Sequence, residues 1–215
     1  MIGIFDSGIG GNCIKREIEK LLPEEKIIYL ADKNNFPYGT KSLSQIRKIA
    51  VKNTNYLINK GAKLIVVACN TATVHAINYL RKNFPNITFI GVEPAVKPAG
   101  LISKRGIIIL SSPKAAKSKQ LLNLMNKYTK GRKVFNIGSL ELVKAVENKL
   151  GNKEIKMILE KTLPEKILNQ SDVLVLGCTH FPLIKNEIKK YVGKKIKIID
   201  SGKAVAKQVK LKLNL

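Results

Sequence analysis

The chain has 215 residues, with 45% hydrophobic and 25% charged, a length and balance that exclude a disordered or collagen-like chain and allow one or two domains with a buried core. Its formal charge is +24, from 39 Lys and Arg against 15 Asp and Glu, which first suggests nucleic acid or another anionic surface as partner. Yet 34 of those cations are Lys and only 5 are Arg, the residue that grips phosphates and bases bidentately. They are spread along the chain with no block of five like charges. Together with many Ile and Asn, this reads as the codon bias of an AT-rich genome ahead of a dedicated nucleic-acid role.

Short apolar runs recur at Ile2–Phe5, Ile27–Leu30, Leu64–Ala68, Ile87–Val92, Ile107–Leu110, Val134–Ile137, Val173–Leu176 and Ile196–Ile199. Each is rich in Ile and Val and apolar at nearly every position, the pattern of a strand covered on both faces. Helical spacing fills the gaps. Ile46, Ile49, Ala50, Asn53, Leu57 and Ile58 form one face of a helix that Ser42 or Ser44 would cap. Further helices are predicted at Cys13–Leu22, Ala72–Asn83, Lys117–Tyr128, Ser139–Leu150, Glu154–Leu168, Pro182–Tyr191 and Lys203–Lys212. Alternation of this kind predicts an α/β protein with mainly parallel sheets and right-handed crossovers, whose ligands sit beyond the carboxyl ends of strands.

Two prolines and two glycines in the stretch 93–106 predict a domain boundary. The expected division is residues 1–97 and 98–195, two similar α/β domains, with segment 196–215 returning to the first. The N-terminus lacks the basic and apolar regions of a secretory leader, and no apolar stretch approaches the roughly 18 residues of a membrane span. Three cysteines, Cys13, Cys69 and Cys178, are odd in number and widely spaced. They predict no disulfide framework and a reducing, cytoplasmic compartment.

An internal echo carries the chemistry. Leu64 to Ala72 reads LIVVACNTA, and Val173 to Phe181 reads VLVLGCTHF. In both, an apolar strand is followed by a small residue, a cysteine and two polar residues before a predicted helix. The cysteines are 109 residues apart, about half the chain. A thiol at a helix N-terminus lies at the positive end of the macrodipole, which favours thiolate. Asn70, Thr71 and Thr179 follow as donors for a carboxylate, and His180 is placed to exchange a proton with Cys178. His75 reads as a helix-face residue and Cys13 as core. The CTH triplet offers no second pair, so no metal site is expected.

Asp6 follows the first strand in FDSGIGG, Phe5 to Gly11, either as a helix cap or as a carboxylate beside the ligand. The glycine spacing fits neither a dinucleotide fingerprint nor a P-loop. Pro37-Tyr38-Gly39 reads as a rigid turn that projects an aromatic ring. The terminal Asp200-Ser201-Gly202 echoes Asp6-Ser7-Gly8.

Taken together, GIFDSGIGG, NNFPYGTKS, VVACNTAT, GVEPA, LGCTHFPL and IIDSG resemble the glutamate racemase family, within the wider aspartate/glutamate racemases, in the same order and over nearly the whole chain. The resemblance implies cofactor-independent interconversion of L- and D-glutamate for peptidoglycan, with the active site in the cleft between two domains of a usually homodimeric enzyme. It implies Cys69 and Cys178 as the two bases, Asp6 assisting Cys69 and His180 assisting Cys178. Ser7, Pro37, Tyr38, Gly39, Asn70, Thr71 and Thr179 would hold the substrate, and Glu147 would be a supporting acid. The implied partner is a small molecule, with no membrane and no nucleic acid. Two stretches depart from the family pattern: Ser111-Ser112-Pro113-Lys114-Ala115 lacks its glycine and second threonine, and the run ending at Glu147 lacks its prolines and cysteine. The competing readings are a relative acting on aspartate, a hydantoin or another small acid, and a non-catalytic nucleic-acid-binding protein.

Overall fold

The computed structural model describes residues 1–214; Leu215, the last residue of the returning segment, lies outside them. The chain forms two compact units, Met1–Glu93 with Ser201–Leu215, and Pro94–Asp200. Each is built on a four-stranded, all-parallel sheet. Among the described residues no helix is long and apolar enough to cross a membrane.

The first unit runs β1 (Ile2–Asp6), α1 (Asn12–Leu21), β2 (Ile27–Ala31), α2 (Leu43–Asn59), β3 (Leu64–Val67), α3 (Asn70–Asn83) and β4 (Thr88–Gly91), in sheet order β2-β1-β3-β4. Central strands β1 and β3 are buried at every position, as their unbroken apolar runs predict. Alternate residues feed two cores. Phe5, Ile65 and Val67 pack with Ile46, Ala50 and Leu57 of α2 and with Ala72, Ala76 and Leu80 of α3. Ile2, Ile4, Leu64 and Val66 pack on the other face with Ile14 and Ile18 of α1. Ser42 is the cap that starts α2: its Oγ accepts from Gln45 N at 3.2 Å, while Gln45 Oε1 accepts from Ser42 N at 2.8 Å.

The second unit contains α4 (Val96–Ile102), β5 (Gly106–Ser111), α5 (Pro113–Ala116), α6 (Lys119–Tyr128), β6 (Lys133–Gly138), α7 (Leu140–Glu147), α8 (Asn152–Thr162), α9 (Glu165–Leu168), β7 (Val173–Gly177), α10 (Lys185–Val192) and β8 (Lys197–Ile199). Its sheet order, β6-β5-β7-β8, repeats that of the first. A final helix, α11 (Gly202–Lys212), buries Val205, Ala206 and Val209 in the first unit's core with α1.

The division differs from the expected one at both crossings. The first falls at Glu93/Pro94 because the expected linker is a helix: Val96 and Ala99 of α4 are buried in the second unit's core. Pro98 sits in that helix's first turn, where its missing N–H costs nothing. Gly100 permits the packing, since a Cβ there would lie 1.9 Å from Tyr128 O. The second crossing falls at Asp200/Ser201. Segment 196–200 does not return to the first unit: Lys197, Ile198 and Ile199 pair with Val173, Leu174 and Val175 of β7, and Ile199 joins the second core.

Local sequence explains three smaller differences in helix extent. Ser118 Oγ accepts from Leu121 N and caps α6, so the helix expected over 117–128 starts two residues later, at Lys119. Pro164 breaks the span 154–168 into α8 and α9. The predicted Pro182–Tyr191 helix begins as a four-residue 3-10 segment, Phe181–Ile184, before α10.

Candidate active site

In the first unit, the ends of neighbouring strands β1 and β3 bring Asp6, Ser7 and Cys69 together. β1 and β3 are the central pair where connections diverge, the switch point of such a sheet. Cys69 is the N-cap of α3, in extended conformation, and its carbonyl accepts the first intrahelical bond from Thr73 N at 2.8 Å. The thiol therefore lies at the positive end of a 14-residue helix. Its sulfur is 3.7 Å from Ser7 Oγ. Asp6 is fully buried, and its Oδ2 accepts from Gly8 N at 3.0 Å, which bends the chain away from β1. Gly11 makes room for this turn: a Cβ there would lie 2.7 Å from Asp6 Cβ and 2.9 Å from the Tyr29 ring. Asn70 and Thr71 follow Cys69 and are buried. Asn70 Nδ2 donates to Val92 O at 2.9 Å, tying the head of α3 to the segment after β4.

The loop after β2 is anchored in the same region. Asp32 N donates to Asp6 O at 2.9 Å. Pro37 follows a cis peptide bond and precedes a 3-10 turn, Tyr38–Thr40. Pro37 and Gly39 are half-buried, and Tyr38 is buried with its hydroxyl donating to Asp32 Oδ2 at 2.7 Å. Burial pushes the Tyr38 phenol far above its ordinary range, reinforced by the bond to Asp32 and by the negative charges of Asp32, Cys69 and Asp6. The phenol therefore remains a proton donor, in electrostatic contact with both Cys69 and Asp6.

In the second unit, Cys178 follows β7, which is hydrogen-bonded to β5 at the equivalent central position. Its sulfur lies 3.7 Å from His180 Nδ1, and His180 Nε2 lies 2.7 Å from Glu147 Oε2 at the end of α7. Cys178, Thr179 and His180 are buried, and Glu147 exposes only 10% of its side chain. With the carboxylate ionised it accepts from Nε2, and in a neutral ring that tautomer turns the Nδ1 lone pair toward the thiol. The three side chains form a thiol–imidazole–carboxylate row, the geometry that a proton relay requires.

The expected helix mouth is present at Cys69 but absent at Cys178, because the chain after Thr179 turns as a 3-10 segment of four residues. The relay through His180 and Glu147 stands where the helix terminus stands in the first unit. The departing segment 111–115 is used locally: Ser112 Oγ caps α5 by accepting from Ala115 N. The terminal Asp200-Ser201 echo is also structural. Asp200 pairs with Lys185 at 2.8 Å, and Ser201 Oγ donates to Glu93 O. His75 lies on α3, its carbonyl accepting from Arg47 Nε at 3.4 Å, and Cys13 packs against the first unit's core. Sequence reasoning passed over Asp32 and Asn53, both of which bond the Tyr38 hydroxyl. Asn53 did leave a signal, as the one polar member of an otherwise apolar helix face.

The model of the Asp/Glu/Hydantoin racemase family matches residues 12–209. A glutamate racemase of Clostridium botulinum is 38% identical over 214 residues, covering 99% of this chain and 83% of that protein. The crystal structure of Escherichia coli glutamate racemase, in complex with L-glutamate and the activator UDP-MurNAc-Ala, is 33% identical with a TM-score of 0.92, covering 99% of this chain and 82% of that one. Glutamate racemase of Francisella tularensis, in complex with D-glutamate, is 29% identical with a TM-score of 0.81, covering 99% and 80%. The matched family model, the relatives and the shared fold agree, and the chain belongs to the Asp/Glu/Hydantoin racemase family.

Proposed function

We propose that the chain interconverts L- and D-glutamate by a two-base proton transfer at Cα, with Cys69 and Cys178 as the bases and no cofactor. The observation that carries this reading is that each unit has one buried cysteine at the same strand end of the same sheet order, Cys69 at a helix N-terminus and Cys178 beside His180. Inversion without an electron sink requires one group to take the Cα proton and another to deliver a proton to the opposite face. A thiolate accepts the first proton and becomes a thiol; the electron pair left on Cα takes the proton of the second thiol, which becomes a thiolate. The reverse reaction exchanges the roles. Fixed donors around the substrate carboxylate stabilise the carbanion, and burial keeps water away.

In this reading Asp6 assists Cys69, while His180, oriented by Glu147, assists Cys178. Ser7, the Pro37-Tyr38-Gly39 loop, Asn70, Thr71 and Thr179 hold the substrate. The likeness to glutamate racemases, two of them seen with a glutamate enantiomer, supports glutamate over other acids. The family resemblance extends the proposal to a cytoplasmic homodimer that supplies D-glutamate for peptidoglycan, and the three free thiols fit a reducing compartment.

A chiral assay of the purified protein, without added cofactor, tests this. Either enantiomer of glutamate should run to the racemate, and in deuterated water the product should carry deuterium at Cα. Turnover of aspartate with none of glutamate would overturn the substrate assignment in favour of another activity within the family.

A further inference from the structure

Tyr38 lies in the loop assigned above to the substrate, yet its side chain is only 1% exposed. Its hydroxyl is engaged on both sides. It donates to Asp32 Oδ2 at 2.7 Å and accepts from Asn53 Nδ2 at 2.9 Å. Asn53, in the middle of α2, also reaches Asp32 Oδ2 at 3.3 Å, and Asn35 Nδ2 donates to Asp32 Oδ1 and Oδ2 at 2.9 and 3.0 Å. Three side chains thus converge on one carboxylate, and Asp32 is itself tied through its backbone to Asp6.

We propose that Asp32 and Asn53 are positioning residues which grip the Tyr38 hydroxyl, so that Tyr38 serves substrate binding as the buried anchor of the Pro37-Tyr38-Gly39 loop and not as a hydroxyl donor to the substrate. The inference rests on the active-site reading above and deepens it. Three observations support it. A buried phenol held by an acceptor and a donor has no exposed edge from which to reach a ligand. The grip joins the two ends of the connection to a helix, since Asp32 immediately follows β2, Tyr38 lies further along the same loop and Asn53 belongs to α2. Thr40 N and Oγ1 bond Pro37 O at 3.4 and 3.0 Å and Lys41 N bonds Tyr38 O at 3.2 Å, contacts internal to the turn, whereas the phenol ties the turn to Asp32 and α2. Satisfied buried networks of this kind specify a single geometry, and removing one member leaves the others unpaired.

The test uses Tyr38→Phe, Asp32→Ala, Asn53→Ala and the milder Asp32→Asn, with racemase kinetics and amide hydrogen exchange read on each. A loosened loop weakens ground-state and transition-state binding alike, so KM should rise about tenfold with kcat within about threefold in the first three variants. Exchange should quicken at residues 36–41 and stay unchanged in α11. Asp32→Asn keeps an oxygen that can accept from the phenol and should recover most of the loss. A raised KM in Tyr38→Phe alone, with Asp32→Ala and Asn53→Ala at wild-type values, would show the hydroxyl acting directly on substrate and overturn the proposal. Unchanged loop exchange in all variants would overturn it too. A wild-type protein that turns over no glutamate sinks the functional reading, while the exchange data still decide the anchor.

Discussion

His180 Nε2 lies 2.7 Å from Glu147 Oε2, and this contact determines which imidazole nitrogen faces Cys178. With the carboxylate accepting from Nε2, the Nδ1 lone pair meets the thiol, and a proton can pass from sulfur to a ring whose positive form the carboxylate stabilises. Cys69 stands instead at the N-cap of α3, its sulfur 3.7 Å from Ser7 Oγ and at the positive end of that helix. The two thiols occupy equivalent places in the two sheets but have different polar surroundings.

Glu147→Gln should therefore impair one half of the reaction. The amide keeps the shape but removes the charge that favours the imidazolium. We expect kcat to fall about tenfold to a hundredfold, less than the 10²–10⁴ that a lost acid–base group costs. Enantiomers have equal free energies, so kcat/KM must fall equally in both directions. The asymmetry should appear in the isotope effect, which should grow for the α-deuterated enantiomer whose deuteron Cys178 removes and stay near the wild-type value for the other. Equal isotope effects would refute the relay.

Replacing either thiol should remove racemisation. Cys69→Ala and Cys178→Ala should each lower turnover by at least about 10²–10⁴-fold, with folding unchanged because both side chains are small and alanine leaves only a minor void. Chiral chromatography of product from each enantiomer measures this. A variant of either cysteine with normal turnover would sink the two-base mechanism.

Acid sensitivity should trace in part to Asp172. Burial alone would raise its carboxyl, but hydrogen bonds from Ser103 Oγ and from the amides of Lys104, Gly106 and Arg105 outweigh that and hold it below the usual carboxylate range. A depressed folded value means the ionised form stabilises the fold. Its contribution is complete above the unfolded value of about 3.9 and is lost as pH falls through the folded value. Asp172→Asn should thus lower the urea midpoint by a constant amount from neutral pH down to about pH 5, and the difference should shrink at more acid pH. A difference that grew on acidification would contradict the assignment.

The eight strands among the described residues were legible because the pattern that marks them, unbroken Ile- and Val-rich runs, is the same pattern that burial on two faces requires. The placement of Cys69 and Cys178 beyond strand ends was legible because a strand, a small residue and a cysteine recur at both. What escaped depended on contacts distant in sequence. α4 is hidden by Pro98 and Gly100, which mark a linker until the carbonyl of Tyr128 shows why glycine is needed. β8 was assigned to the wrong unit because an apolar run does not name its partner; pairing with β7 depends on register 24 residues away. Asp32 carried no local signal at all, since its meaning comes from Tyr38 and Asn53, 6 and 21 residues further on.

Gly11→Ala offers a way to perturb Asp6 without changing it. A Cβ at position 11 would lie 2.7 Å from Asp6 Cβ, 2.9 Å from Tyr29 Cε2 and 3.0 Å from the Tyr29 hydroxyl oxygen. Gly11 has an ordinary helical conformation, φ −60° and ψ −14°, so the strain comes from contact and not from the backbone. Tyr29 cannot easily yield, because its hydroxyl donates to Gly8 O at 2.7 Å and holds the same turn. Asp6 cannot yield without disturbing the Gly8 amide bond. Overpacking of this kind costs about 1–3 kcal/mol, visible as a lower urea midpoint. If Asp6 assists Cys69, the displaced carboxylate should also reduce kcat, measured at a temperature where the variant is fully folded. Tyr29→Phe combined with Gly11→Ala relieves part of the contact by removing the hydroxyl, and should recover less activity than stability, since the 2.7 Å clash with Asp6 remains. Full recovery of activity in the double variant would show that the Asp6 position matters only to the fold.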